Sequence, residues 1–128
     1  MGVFCEDTKT LEKNNNKDII LNVKKYVEDN FSDPKLNLKT ICKRKFYNPK
    51  YISSSFKKLV GLNFNDYLTE LRLNNALKLI EMGFTTVKEI ALLSGFADAA
   101  YFSKVFFKRS KIYPKEYIKE KSKKTIKW

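Results

Sequence analysis

Histidine is absent from this chain of 128 residues, and cysteine occurs only twice, at Cys5 and Cys42. These scarcities exclude the familiar Cys/His zinc sites and any histidine-based catalytic triad. No glycine-rich phosphate loop and no nucleophile–base pair is present either, so the expectation is a non-enzyme with no catalytic, metal or cofactor residues. No apolar run reaches the roughly 18 residues a membrane helix needs. No charged-then-apolar leader precedes a cleavage site. The chain therefore reads as a soluble protein of the reducing cytoplasm, with no membrane partner.

Acidic residues are scarce in one part of the chain only. Residues 1–34 hold five Lys and seven Asp/Glu, a balance of −2, whereas residues 35–128 hold 21 Lys/Arg and seven Asp/Glu, a balance of +14. A surplus so placed suits a polyanionic partner: DNA, RNA or an anionic surface. By length the chain is one domain, or two small modules too short to bury much apolar surface alone.

What is present is a sequence that nearly repeats itself. Tyr51, Ser53, Phe56, Lys58 and Tyr67 recur fifty positions on as Tyr101, Ser103, Phe106, Lys108 and Tyr117, and Ile41 recurs at an offset of 49 as Ile90. Each copy spells a helix-turn-helix. In the first, Asn37 is placed to cap a short helix bearing Leu38, Ile41 and Cys42, with Cys42 a small buried hydrophobe. Residues 45–47 make the turn. Asn48-Pro49 then reads as N-cap and first helical residue of a helix to Val60, with Gly61 as its C-terminal cap. At 100° per residue, Ile52, Ser55, Phe56 and Leu59 share the core side, and Lys50, Ser53, Ser54 and Lys57 point away.

In the second copy, Thr86 to Glu89 has the spacing of a capping box, and Val87, Ile90 and Ala91 are the inner face. Ser94-Gly95-Phe96 is the turn, with Gly95 suited to positive φ. Asp98 caps a helix whose core side is Phe102, Val105, Phe106 and the stem of Arg109. Its outward side carries Ala100, Ser103, Lys104, Phe107 and Lys111. Tyr113-Pro114 opens a last short helix.

Before the first copy, Ile19, Ile20, Val23, Tyr26, Val27 and Phe31 predict a helix from Asp18 that Ser32-Asp33-Pro34 stops, a lid over the first module. Between the copies, a helix from Asn63 to about Met82 carries Phe64, Tyr67, Leu68 and Leu71 on one side. On the other it carries Leu73, Ala76, Leu77 and Ile80, so that one helix could serve both modules. Some 20 residues span roughly 30 Å, close to the roughly 34 Å between successive major-groove faces. The fold expected is all-α, about seven helices. Residues 1–17 form a linker or cloning remnant and 18–119 a tandem helix-turn-helix domain (first module 18–62, linker helix 63–83, second module 84–119). Residues 120–128 form a fraying basic tail.

These residues resemble the AraC/XylS family of bacterial transcription regulators across about residues 18–119. The sharpest matches are Val87-Lys88-Glu89-Ile90-Ala91, Gly95-Phe96, Tyr101-Phe102-Ser103-Lys104, Phe106, Lys108, Pro114 and Tyr117. The first module adds Tyr51-Ile52-Ser53, Phe56-Lys57-Lys58, Gly61, Phe64, Tyr67-Leu68, Arg72 and Ala76. The resemblance implies double-stranded DNA as partner, contact with RNA polymerase at promoters, usually as an activator, and a separate N-terminal sensor or receiver domain. The parent would be a two-component response regulator or a ligand-sensing regulator. Three positions depart from the family: Lys111 stands where Gly is common, Tyr113 where Thr or Ser is, and Phe107 where a basic residue is. Phe107 would put a ring near the groove and weaken the second module's grip or turn it towards a protein.

Base reading requires side chains in the first turns of a recognition helix. Lys50, Ser53 and Ser54 fill that place in the first module, and Ala99, Ala100, Ser103 and Lys104 in the second. Tyr51, Lys57, Lys58, Tyr101 and Lys108 flank them and suit phosphates, which set position rather than sequence choice. So few polar base readers leave room for recognition through DNA shape. Two other readings stay open: a nonspecific or architectural nucleic-acid binder, and a helical protein-interaction module presenting Phe107 and Trp128.

Overall fold

The computed structural model describes residues 8–126, with side chains from residue 17 to 121. Among these residues there are seven helices and no strand: α1 (Thr8–Asn30), α2 (Leu38–Lys45), α3 (Pro49–Val60), α4 (Phe64–Glu81), α5 (Val87–Leu93), α6 (Ala99–Ser110) and α7 (Pro114–Ile126). The all-α expectation of two helix-turn-helix pairs and a longer helix between them is met. Backbone contacts separate two compact units. One comprises the described residues up to Asn30 with Leu36–Tyr67, the other Phe31–Lys35 with the described residues from Leu68 onward. The division falls inside α4, whose residues 64–67 belong to the first unit and 68–81 to the second.

In the first unit, α1 and α2 both pack on α3. The buried stripe of α1 is Ile20, Val23 and Val27, spaced three and four apart as a helix facing a core requires. The helix begins at Thr8, well before the expected Asp18, and the segment read as a linker is helical from there. The reason is local. No Gly or Pro interrupts residues 8–30, each Asn costs under about 1 kcal/mol relative to Ala, and a helix already anchored propagates more easily than it nucleates. The same reasoning corrects the other end, where α7 runs to Ile126 rather than fraying after residue 119. Trp128 lies outside the described residues.

The second unit is built on one cluster: Leu73, Ala76 and Ile80 of α4, Ile90 and Ala91 of α5, Phe96, Phe102 and Phe106, and Ile118 of α7. At Gly95, φ 99°, the backbone approaches closely, and a Cβ there would fall 2.2 Å from the Phe31 carbonyl oxygen. That carbonyl is held by Arg72, whose Nε donates to it at 2.8 Å while Nη2 donates to the Asp33 carbonyl at 2.9 Å. Residues 31–35 are thereby fastened to the second unit although they follow α1 directly. Burial lowers the Arg72 pKa from its usual value, against the opposing influence of Tyr101 and Asp33.

Among the described residues, two non-glycine residues occupy the left-handed region, Phe46 at φ 60° and Lys111 at φ 64°, each the C-cap of a helix. The backbone N–H of Lys111 donates to the Phe107 carbonyl at 2.7 Å, closing α6 as a glycine would. Phe46 is the counterpart of Gly95 in the repeat, and its ring is 95% exposed, so no packing offsets its backbone strain.

Phe46→Gly and Lys111→Gly should each raise unfolding stability by about 1 kcal/mol, read as a higher denaturant midpoint at unchanged slope. Gly95→Ala should lower it by about 3 kcal/mol or more, because strain and overlap add. A neutral Gly95→Ala would refute the close approach described above.

Candidate nucleic-acid interface

The first helix-turn-helix is assembled from local hydrogen bonds. Asn37 Oδ1 accepts from the Thr40 N–H at 2.8 Å and starts α2, and the Tyr47 N–H donates to the Cys42 carbonyl at 2.8 Å to make the turn. Asn48 Oδ1 accepts from the N–H groups of Lys50 (3.0 Å) and Tyr51 (3.3 Å) and starts α3. Pro49 takes the first helical position, where its missing N–H costs nothing. Gly61, φ 93°, ends the helix.

The orientation of α3 is set by its buried face. Ile52 and Phe56 are fully enclosed. The Phe56 ring meets Phe64 edge-on at 5.8 Å and Tyr67 at 5.5 Å between centroids. Tyr67 is tethered in turn, its hydroxyl donating to Glu28 Oε1 at 2.7 Å. Burial, with the Glu28 carboxylate beside it, raises the pKa of that phenol well above its ordinary range. Cys42 is buried, and its thiol pKa is raised by that burial. Leu59, expected on the core side, is 54% exposed. Helical angle gives its direction, but the enclosed core under α3 is completed by Ile52 and Phe56.

With that face buried, Lys50, Tyr51, Ser53, Ser54, Lys57 and Lys58 are all exposed. Lys50, Ser53, Ser54 and Lys57 line one open groove of about 470 Å³ together with Leu38, Lys39, Pro49 and Asn63. The structure thus brings together three residues expected to read bases and one expected to hold phosphate. It adds Lys39 and Asn63, to which the sequence reading gave no part in the site. Lys39 and Lys43 stand four apart on α2, a spacing that signals one helical face. Both are exposed, as are Arg44 and Lys45. Arg44 Nη1 donates to the Tyr26 hydroxyl at 2.7 Å.

The second helix-turn-helix repeats the scheme with different surface chemistry. Asp98 Oδ1 accepts from the Tyr101 N–H at 2.7 Å and caps α6. Thr86 has the extended backbone of an N-cap, but its side chain makes no cap hydrogen bond, so the expected capping box is not formed. The seven-residue α5 is held instead through buried Ile90 and Ala91. At its end, the buried Ser94 hydroxyl accepts from Asn75 Nδ2 at 3.2 Å. Beneath α6, Phe102 lies 5.0 Å from Phe96 and 5.7 Å from Phe106, and Phe106 meets Tyr117 edge-on at 5.6 Å.

On the outer side of α6, Ala100, Tyr101, Lys104 and Lys108 are exposed and Ser103 is half-buried. Ala99, expected to read bases, is partly buried against the core cluster. Arg109 is not a core stem; its guanidinium pairs with Glu70 of α4. Phe107 also differs from expectation, since its ring stacks on Tyr113 at 4.4 Å and 25°. The three family departures are therefore neighbours: Lys111 closes the turn that brings Tyr113 back onto Phe107.

Comparison with known proteins agrees with this geometry. A family model described as a helix-turn-helix domain matches residues 41–120. The regulatory protein YesN of Bacillus subtilis (strain 168) is 35% identical over 102 residues, 77% of this chain and 28% of YesN. The transcriptional activator RhaR of Pectobacterium carotovorum (strain PC1) is 34% identical over 76 residues, 59% of this chain and 27% of RhaR. The chain thus spans under a third of the length of these two curated relatives. The C-terminal domain of AraT, a response regulator from Geobacillus stearothermophilus, superposes with a TM-score of 0.76 at 27% identity, covering 80% of this chain and 84% of that domain.

A double-mutant cycle on Phe107→Ala and Tyr113→Ala should give a coupling of about 0.5–1.5 kcal/mol in unfolding free energy. Strictly additive effects would show that the two rings contribute separately.

Proposed function

The chain belongs to the AraC-type helix-turn-helix family of transcription regulators, and from that premise we propose that it binds specific DNA sequences at bacterial promoters. In this reading α3 and α6 enter adjacent major-groove segments. Lys50, Ser53 and Ser54 read base edges in one segment, and Ala100, Ser103 and Lys104 in the other. Ala99 would stay with the core it touches. Tyr51, Lys57, Lys58, Tyr101 and Lys108 would hold phosphates on either side.

The observation that carries the proposal is the groove on α3. It gathers donors and acceptors beside exposed lysines, while the opposite face of the same helix is locked by Ile52 and Phe56. A helix so anchored can place short side chains against base edges without first losing its own freedom. Among the described residues no helix is long and apolar enough to cross a membrane, in keeping with action on cytoplasmic DNA. The domain would work beside an N-terminal receiver or sensor in its parent protein, and contact RNA polymerase from the promoter. The likeness to AraT, a response regulator, favours the receiver.

Selection from a pool of random-sequence duplexes, followed by fluorescence anisotropy against scrambled DNA, tests this reading. A preference of about 10³-fold or more is expected; a ratio near one at every salt concentration would leave only nonspecific binding. Lys50→Ala and Lys104→Ala should change which sequences are preferred. Lys58→Ala should weaken all sequences alike and lower the salt slope by about one.

A further inference from the structure

The internal repeat permits a comparison of the two modules position by position. Lys43 and Arg44 on α2 correspond to Leu92 and Leu93 on α5, Lys50 on α3 to Ala100 on α6, and Lys57 to Phe107. At all four positions a cation in the first module is replaced by an apolar residue in the second. The replacements are not core residues: Leu92 is 49% exposed, Leu93 47% and Phe107 38%. A single exposed Leu is ordinary, but four cation-to-apolar exchanges at matched surface positions change the electrostatics of a whole module.

Regional charge runs the same way. Residues 38–61 hold seven Lys/Arg and no Asp/Glu, a balance of +7; residues 87–111 hold five Lys/Arg and two Asp/Glu, a balance of +3. Of those five, Arg109 is engaged by Glu70. Three positions go the other way, Ser54 to Lys104, Leu59 to Arg109 and Gly61 to Lys111. They do not restore the difference.

We infer that the two modules divide the DNA contact unequally: the first supplies most of the phosphate neutralisation, and the second engages its segment with few ionic contacts. The inference rests on the DNA-binding reading above and adds to it the assignment of affinity. Each phosphate neutralised contributes about 0.9 to the slope of log K against log salt, and an apolar contact contributes nothing. Most of the salt dependence of the complex therefore belongs to α2 and α3. The second module selects through fit and apolar contact, which salt leaves untouched.

The test compares two sets of surface variants of the full chain on one selected duplex, with circular dichroism to show that each remains helical. Lys43→Ala/Lys57→Ala/Lys58→Ala should lower the salt slope by about three and the affinity at least 100-fold near physiological salt. Lys104→Ala/Lys108→Ala should lower the slope by less than one and the affinity less than tenfold. The reciprocal variant Leu92→Lys/Ala100→Lys/Phe107→Lys should raise the slope. Equal losses from the two Lys→Ala sets, or a slope loss of about two from the second, would overturn the division while leaving DNA binding intact. Failure of the unmodified chain to bind any duplex would instead remove the functional reading itself.

Discussion

α3 and α6 are each held by a buried phenylalanine that meets a tyrosine edge-on, and the outward faces owe their direction to that contact. Phe56 and Tyr67 lie 5.5 Å apart at 62°; Phe106 and Tyr117, their repeats, lie 5.6 Å apart at 68°. Two segments with modest sequence likeness thus reproduce one geometry where the repeated residues coincide. Truncating a buried Phe costs about 3–5 kcal/mol, whereas an isolated surface charge is worth a few tenths. The aromatic pairs therefore dominate the energetics, and the lysines and serines ride on a frame they do little to maintain. That separation lets the outer face change chemistry while the buried aromatic pair is kept, as Lys57 and Phe107 illustrate.

The turns follow a similar logic with different solutions. Both helix-turn-helix turns require a left-handed residue. In the second unit the Phe31 carbonyl, fixed by Arg72, leaves room only for Gly95. In the first unit the space is open and Phe46 is tolerated. At the C-terminal ends of α3 and α6 the pattern reverses, with Gly61 in the first and Lys111 in the second. The left-handed Lys111 occurs beside the Phe107–Tyr113 stack, and an aromatic contact of that kind is comparable in size to the backbone strain it accompanies. Strain at one residue and packing at its neighbours are best regarded as a single local arrangement.

These features give the two modules distinct characters on a shared plan. The first joins an exposed cationic helix pair to a groove of small polar side chains. The second exposes apolar side chains at the matching sites, and its Arg109 is occupied within the fold. A regulator built this way need not ask both helices for the same kind of contact. Duplication supplies the frame, and divergence at a few exposed positions supplies two different surfaces.

What the amino-acid sequence determined by itself is whatever acts within a few residues: the caps at Asn37, Asn48 and Asp98, the glycine stops, the buried stripes, and hence the helices of the described residues. Spacing, side-chain reach and backbone freedom suffice there, because the partners are near neighbours in the chain. What only the tertiary structure decided is what lies opposite each side chain. Arg72 finds the Phe31 carbonyl 41 positions away and Tyr67 finds Glu28 across 39, distances at which no helical period carries information. For the same reason Leu59 is exposed, Arg109 pairs with Glu70, and Phe107 rests on Tyr113. Burial and pairing are properties of two surfaces meeting, and a sequence read along its length presents only one of them at a time.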